Sequence, residues 1–171
     1  MNSIILKKLN RSLLLLVLPI SFIIFTSCSK DPCEDVVCEN GGIETEDGDD
    51  CICECPAGFY GELCESSYQD DFVGTYSGNE SCDSGEFQYS LSISASSSDP
   101  SLIRFHDLYQ QGFTVEGIID ENGDVTIPEQ ALGIASISGS AGLSNGTLTV
   151  TYTVQGDQSS DSCSGNFEKN N

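Results

Sequence analysis

The stretch Thr147-Leu148-Thr149-Val150-Thr151-Tyr152-Thr153-Val154 decides the fold class. Large apolar side chains stand at every even position and threonine at every odd one. Successive side chains of a strand point to opposite faces, so this run has one apolar face and one hydroxyl face. Such alternation marks an antiparallel strand with one side on a core and the other in water. Upstream, Phe87, Tyr89, Leu91 and Ile93 alternate with Gln88, Ser90 and Ser92, and Phe113, Val115, Gly117 and Ile119 form a third set. Asn122-Gly123 and Asn145-Gly146 separate such runs, and Asn-Gly readily takes the positive φ angles of a tight hairpin turn. We read eight strands, near 72–78, 86–94, 101–107, 112–120, 123–128, 131–139, 146–155 and 161–168, and no segment with a helical period. Short strands with tight connections predict a mainly β domain over residues 72–171, either an antiparallel up-and-down barrel or a two-sheet β-sandwich.

Cys82 and Cys163 help to choose between the two. They fall near the first and last strands, in the similar settings Ser81-Cys82-Asp83-Ser84-Gly85 and Ser162-Cys163-Ser164-Gly165. In a closed meander those strands are neighbours, so a Cys82–Cys163 bond would staple the seam. An immunoglobulin-type sandwich more often packs a tryptophan on an internal disulfide, and this chain has no tryptophan. Phe72-Val73-Gly74-Thr75-Tyr76, with the two cysteine settings, resembles a lipocalin-like β-domain of Bacteroidota lipoproteins. The resemblance implies a barrel, with a small apolar ligand in its mouth or with a fully packed interior.

Between Cys33 and Cys64 lies a second kind of text. Cys33, Cys38, Cys51, Cys53, Cys55 and Cys64 crowd a segment whose aliphatic residues are only Val36, Val37, Ile43, Ile52 and Leu63. So small a module needs covalent staples to fold. Zinc sites use separated cysteine pairs, whereas this cluster is C-x-C-x-C without a nearby histidine. Disulfides are therefore expected, and no metal. Six cysteines allow 15 pairings, among which spacing does not choose.

Cys53-Glu54-Cys55, five residues, Gly61, two residues and Cys64 match the C-x-C-x₅-G-x₂-C signature of EGF-like domains, and Cys38-Glu39-Asn40-Gly41-Gly42 matches their C-x-N-G-G stretch. Residues 33–65 thus resemble an EGF-like module. The resemblance implies the pairs Cys33–Cys51, Cys38–Cys53 and Cys55–Cys64. An acidic insert, Glu44 to Asp50, departs from the family and reads as a solvated, mobile loop. The acidic and amide motifs of calcium-binding EGF domains are missing, so no calcium is expected by that route. Residues 66–71 read as a polar linker to the β domain.

At the N-terminus Lys7, Lys8 and Arg11 precede an apolar run from Leu13 to Phe25. As a helix it would span roughly 20 Å, the size of a signal-peptide core and short of a membrane crossing. Phe25-Thr26-Ser27-Cys28 resembles the lipobox of bacterial lipoproteins, with Phe25 where leucine is common. The resemblance implies a signal peptide over 1–27, acylation of Cys28 and a tether over 28–32. Ser29-Lys30-Asp31 resembles the surface-export signals of Bacteroidota lipoproteins, which implies an outer-membrane address facing the cell surface. Export places the cysteines where disulfides persist. Eight then pair, and Cys28, the ninth, carries the lipid.

Beyond residue 11 only Lys30, Arg104 and Lys169 stand against all 27 acidic residues. Such a surface repels nucleic-acid phosphates and anionic lipid headgroups, so no nucleic-acid partner is expected and membrane attachment requires the lipid. His106, the sole histidine, lies in a strand-like run beside Arg104 and Asp107. No G-x-S-x-G stretch, phosphate loop or zinc constellation accompanies it, so it reads as a surface or rim residue. Asp120-Glu121-Asn122-Gly123-Asp124 lacks the later glutamate of a calcium loop and reads as a hairpin turn. No enzyme and no cofactor are expected. The expected role is a binding module with a protein or glycan partner. A carrier of a small apolar ligand and a structural envelope protein are the alternatives.

Overall fold

The computed structural model describes residues 31–170; the expected signal peptide over 1–27 and the expected lipid site Cys28 lie outside them. In chain order the elements are β1 (Ile43–Asp47), β2 (Asp50–Glu54), β3 (Phe59–Tyr60), β4 (Ser66–Ser67), a short helix α1 (Tyr68–Phe72), β5 (Gly74–Cys82), β6 (Gly85–Ala95), β7 (Leu102–His106), a 3-10 turn (Leu108–Gln110), β8 (Thr114–Ile119), β9 (Val125–Leu132), β10 (Ala135–Ser144), β11 (Thr147–Gln155) and β12 (Ser160–Lys169). From β5 onward each strand pairs antiparallel with the next, and β12 returns to β5. The result is a closed eight-stranded up-and-down barrel, not a sandwich.

The alternation that announced the strands also fills the barrel. Leu148, Val150, Tyr152 and Val154 all face inward from β11. Leu91 and Ile93, Ile103 and Phe105, and Val115 and Ile119 do the same from β6, β7 and β8. Each fully buried side chain of this kind contributes about 1.5–3 kcal/mol. An eight-stranded barrel can be filled by side chains or hold one small ligand, and here the inward side chains form one buried cluster. Asn145 and Gly146, at φ +50° and +83°, form the two-residue turn between β10 and β11. Strand β5 runs on to Cys82, beyond the expected end at 78.

Closure is thinnest between β8 and β9, where the register records only Ile118↔Thr126 and Ile119↔Val125. Beyond them β9 bulges, its register against β10 shifting between Ile137 and Gly139. Pro128, which lacks an N–H, sits in this irregular stretch, where a ladder bond is not required. The Gln130 side chain bridges the gap. Its Oε1 accepts from the Glu116 N–H at 2.8 Å, and its Nε2 donates to the Glu116 carbonyl at 2.8 Å. A side-chain amide thus makes the two bonds a neighbouring strand would have made.

The segment before the barrel is a disulfide-rich module that packs against one barrel end. Its bonds are Cys33–Cys51, Cys38–Cys53 and Cys55–Cys64. Two expectations are corrected here. The acidic insert is not a mobile loop: Glu44 to Asp47 belong to β1, which pairs along its length with β2, where Cys51 and Cys53 are bonded. Carboxylates tolerate this strand because nearly all of it stays exposed. Residues 66–71 are not a free linker: they form β4 and most of α1, a helix too short to show a period in sequence. Phe72 enters the core, and Gln69 Nε2 donates to the carbonyls of Asp99 and Leu102 at 2.8 and 2.6 Å. The Tyr76 hydroxyl donates to the Phe72 carbonyl at 2.7 Å. Tyr60 stacks on Tyr68 with ring centroids 4.4 Å apart and donates to Asp71 at 2.8 Å. Gly58, at φ +92°, lets the module touch the barrel, because a Cβ there would lie 2.4 Å from the Pro100 carbonyl oxygen.

The fourth disulfide, Cys82–Cys163, joins directly paired residues of β5 and β12 and spans 81 residues of chain. A loop of this length gives about 4 kcal/mol by the chain-entropy estimate. A double Cys82→Ser/Cys163→Ser variant should keep the barrel but lose stability of about that size in equilibrium urea unfolding. An unchanged unfolding midpoint would show that the bond does not constrain the chain.

Candidate binding cleft at the open end of the barrel

The two barrel ends differ. Helix α1 and the 96–101, 120–124 and 145–146 turns cover the end nearest the disulfide-rich module, where α1 and the last two turns line a concavity of about 460 Å³. At the other end lie the turns at 83–84, 107–113, 133–134 and 156–159. Here a cleft of about 310 Å³ is lined by Glu80, Ser84, Phe87, Tyr109, Gln110 and Gln111.

Glu80 forms the floor. It follows Tyr76 and Gly78 on the inward face of β5 and is only 1% exposed. Two phenols hold its carboxyl, the Tyr152 hydroxyl donating to Oε1 at 2.7 Å and the Tyr89 hydroxyl at 2.9 Å. Burial pushes the Glu80 carboxyl above the usual glutamate range, the two phenol bonds partly offset this, and the charge of Asp161 adds to it. Burial likewise drives both tyrosines far up, so they remain protonated donors. Tyr89 meets Phe167 edge-on at 5.1 Å, which fixes its ring.

The wall comes from a loop under strain. Asp107, Tyr109 and Gln110 all have left-handed backbones, at φ +65°, +64° and +51°. Non-glycine residues in that region cost on the order of 1–3 kcal/mol each and persist where surrounding contacts hold them. Leu108 anchors the loop by full burial, and Asp107 Oδ1 accepts the Gly112 N–H at 2.9 Å. This geometry sets the Tyr109 ring edge-on to Tyr152 and its hydroxyl 2.9 Å from Asp161 Oδ2. Asp161 also accepts the Ser84 hydroxyl at 2.6 Å and the Ser84 N–H at 3.0 Å. The Ser84 hydroxyl is the main reason its carboxyl sits below the usual aspartate range. Around the rim, Phe87 and Phe113 are each 37% exposed and Ile134 is 99% exposed.

Eight of the cysteines singled out in sequence are taken up in disulfides, and only Cys82–Cys163 approaches the cleft. Its sulfurs and a Glu80 oxygen lie within 4.8 Å of one another, but bonded sulfurs are not thiolate ligands, so this trio does not form a metal site. His106 lies on the outer wall, with Nε2 2.8 Å from Ser94 Oγ and Nδ1 3.3 Å from Thr114 Oγ1. These are cross-strand neighbours, and no carboxylate is among its hydrogen-bond partners. Arg104 is paired across the same wall with Glu116 at 3.1 Å. The 120–124 turn is closed from within, Asp120 Oδ1 accepting the N–H groups of Asn122 and Asp124 at 2.8 and 3.0 Å.

Sequence reading missed Glu80, Tyr109 and Gln130. Glu80 had a signal: with Tyr76 inward and Cys82 at the seam, strand parity points Glu80 inward too. Tyr109 had none, because its placement depends on three left-handed residues without a glycine code.

No protein-family model matches the chain, and no solved structure does. A stretch of 52 residues, 30% of this chain, is 38% identical to complement component C6 of Bos taurus and spans 6% of that protein. Together with the four disulfides and the closed barrel, this fits a disulfide-rich module followed by a barrel.

Because the native state holds a proton on Glu80 to higher pH than the unfolded chain does, stability falls as pH rises through that window. Glu80→Gln removes this contribution while keeping an oxygen for both phenols. Its stability relative to the wild type should rise from the ordinary glutamate range upward and then level off, as read by urea midpoints across pH. Parallel curves for the two proteins would contradict the burial of a titrating group.

Proposed function

We propose that this chain is an exported lipoprotein that binds a protein or glycan partner with the open end of its barrel. The observation that carries the reading is the chemical difference between the two barrel ends. One end is occupied by α1 and by the disulfide-rich module through which the chain arrives from its N-terminus. The other presents Phe87 in the wall of a cleft floored by Glu80, with Phe113 and Ile134 exposed on the turns of the same end. Exposed apolar side chains gathered round a concavity are a common mark of recognition surfaces.

In this reading Cys28 carries the lipid and 28–32 form the tether. Residues 33–65 act as an EGF-like spacer, and the lipocalin-like barrel is held with its open end away from the outer membrane, facing the cell exterior. The role is binding rather than catalysis. Support for an apolar ligand enclosed in the barrel is weaker, since the buried cluster that includes Tyr76, Phe105, Tyr152 and Phe167 occupies the lumen and the open-end cleft has a carboxyl floor.

Two measurements test the proposal. Intact mass of the mature protein should show an acylated Cys28 and two hydrogens missing for each of the four disulfides; an unmodified Cys28 would remove the anchor. A soluble Cys28→Ser form should retain a protein or glycan partner in pull-down and adhesion assays. An Ile134→Ser/Phe113→Ser variant should lose that retention, and Ile134→Ser alone, at a 99%-exposed position, should weaken it without a change in melting temperature. Equal retention by the double variant would place binding elsewhere on the molecule.

A further inference from the structure

We infer that the open-end cleft is a specific site for a primary alkylammonium group, seated between the Glu80 carboxyl and the ring of Tyr109. The inference rests on the open-end reading above and gives that end a ligand chemistry.

The first observation is an oxygen left over. Both hydrogen bonds to Glu80 fall on Oε1. Among the described residues no fully buried side-chain oxygen or nitrogen lacks a partner. Oε2, which accepts no bond, is therefore the atom through which this 1%-exposed side chain meets the cleft it lines. A carboxylate buried to this degree without a counter-charge is costly, and an incoming cation relieves that cost.

The second observation is the surrounding charge. Asp83, Glu86, Asp107, Asp157 and Asp161 all belong to the open-end turns or the strand ends beside them. Among the described residues the cations lie elsewhere: Arg104 pairs with Glu116 on the outer wall, and Lys169 donates to the Asp71 carbonyl at the closed end. The cleft thus repels anions and has no cation of its own.

The lining then selects among cations. A divalent metal needs several oxygen ligands, and the described residues bring no cluster of three carboxylates together there. A guanidinium is best held by both oxygens of a carboxylate, but Oε1 is already engaged by two phenols. An ammonium is a point charge that one oxygen can hold. The rings of Tyr109 and Phe87 offer it π faces, and the amides of Gln110 and Gln111 offer further acceptors at the rim. A concavity of about 310 Å³ is at the small end for ligand sites and suits a short alkyl chain. A free amine and a lysine side chain of a protein partner share this chemistry.

The test is an NMR titration of the full mature chain carrying Cys28→Ser. The probes are n-butylamine, Nα-acetyl-lysine methylamide, its Nε-acetylated form and Nα-acetyl-arginine methylamide. The expected result is saturable shifts confined to the amides of Ser84, Phe87 and residues 109–111, with the two ammonium probes binding at least about tenfold more tightly than the other two. Tighter binding of the lysine probe than of butylamine would assign the site to a protein partner, and equal binding would assign it to a free amine. Glu80→Gln should weaken ammonium binding about tenfold or more while leaving signals outside the cleft in place. Tyr109→Leu, which spares the carboxyl, should weaken it less. Equal binding of the Nε-acetylated probe, unchanged affinity in Glu80→Gln, or no saturation would overturn the inference. The Ile134→Ser/Phe113→Ser variant separates the two claims. Amine binding absent while partner retention still depends on these residues overturns the ammonium site alone. Amine binding present while partner retention ignores them overturns the open-end docking reading instead.

Discussion

Pairing of β5 with β12 is the constraint on which the rest of this molecule depends. A meander of eight strands has two unpaired edges unless its first and last strands meet, and exposed edges invite pairing with other chains. Here they meet over seven residue pairs, from Cys82↔Cys163 to Tyr76↔Lys169. Gly78 permits the contact, since a Cβ there would fall 2.0 Å from the Asn166 carbonyl oxygen. The disulfide then holds the seam near its open end. Once the seam is shut, the inward face of β5 is fixed, and the same parity that buries Tyr76 sends Glu80 into the lumen.

The cleft chemistry follows from that burial. An acid forced inside needs donors, and Tyr89 and Tyr152 supply them from β6 and β11. Both phenols approach one oxygen, which leaves the other without a hydrogen bond at the cleft that Glu80 lines. The 107–113 loop completes the wall at a cost in backbone strain, held by burial of Leu108 and by the Tyr109–Asp161 bond. Strain and a partly satisfied buried acid at the same end set it apart from the closed end, where α1 satisfies its neighbours through Gln69 and Phe72.

Much of this was legible in the residues, and the limits have physical reasons. The alternation in 147–154 and the Asn-Gly turns placed the strands, because period two and positive φ are local properties. Cys82 and Cys163 pointed to closure because strand order in a meander is also sequence order. The disulfide pairs of the module coincide with those its resemblance to EGF-like domains implies, although spacing alone does not select them. Helix α1 was invisible because a single turn has no period, and its burial comes from the barrel end it closes. The hairpin in the acidic insert was misread because its strand is stabilised by disulfides on the neighbouring strand rather than by its own side chains. Gln130 carried no local sign, since its role is to fill a gap in pairing created by Pro128 and the bulge.

Glu80 is a buried carboxyl held by two phenols with one oxygen at the cleft. The most direct measurement of this arrangement is the titration of the Glu80 side-chain carboxyl carbon, followed by NMR in the folded protein. The midpoint should lie above the ordinary glutamate range and move further upward in Tyr152→Phe as a stabilising donor to the carboxylate is lost. A midpoint at the ordinary value, unmoved by that substitution, would contradict the arrangement.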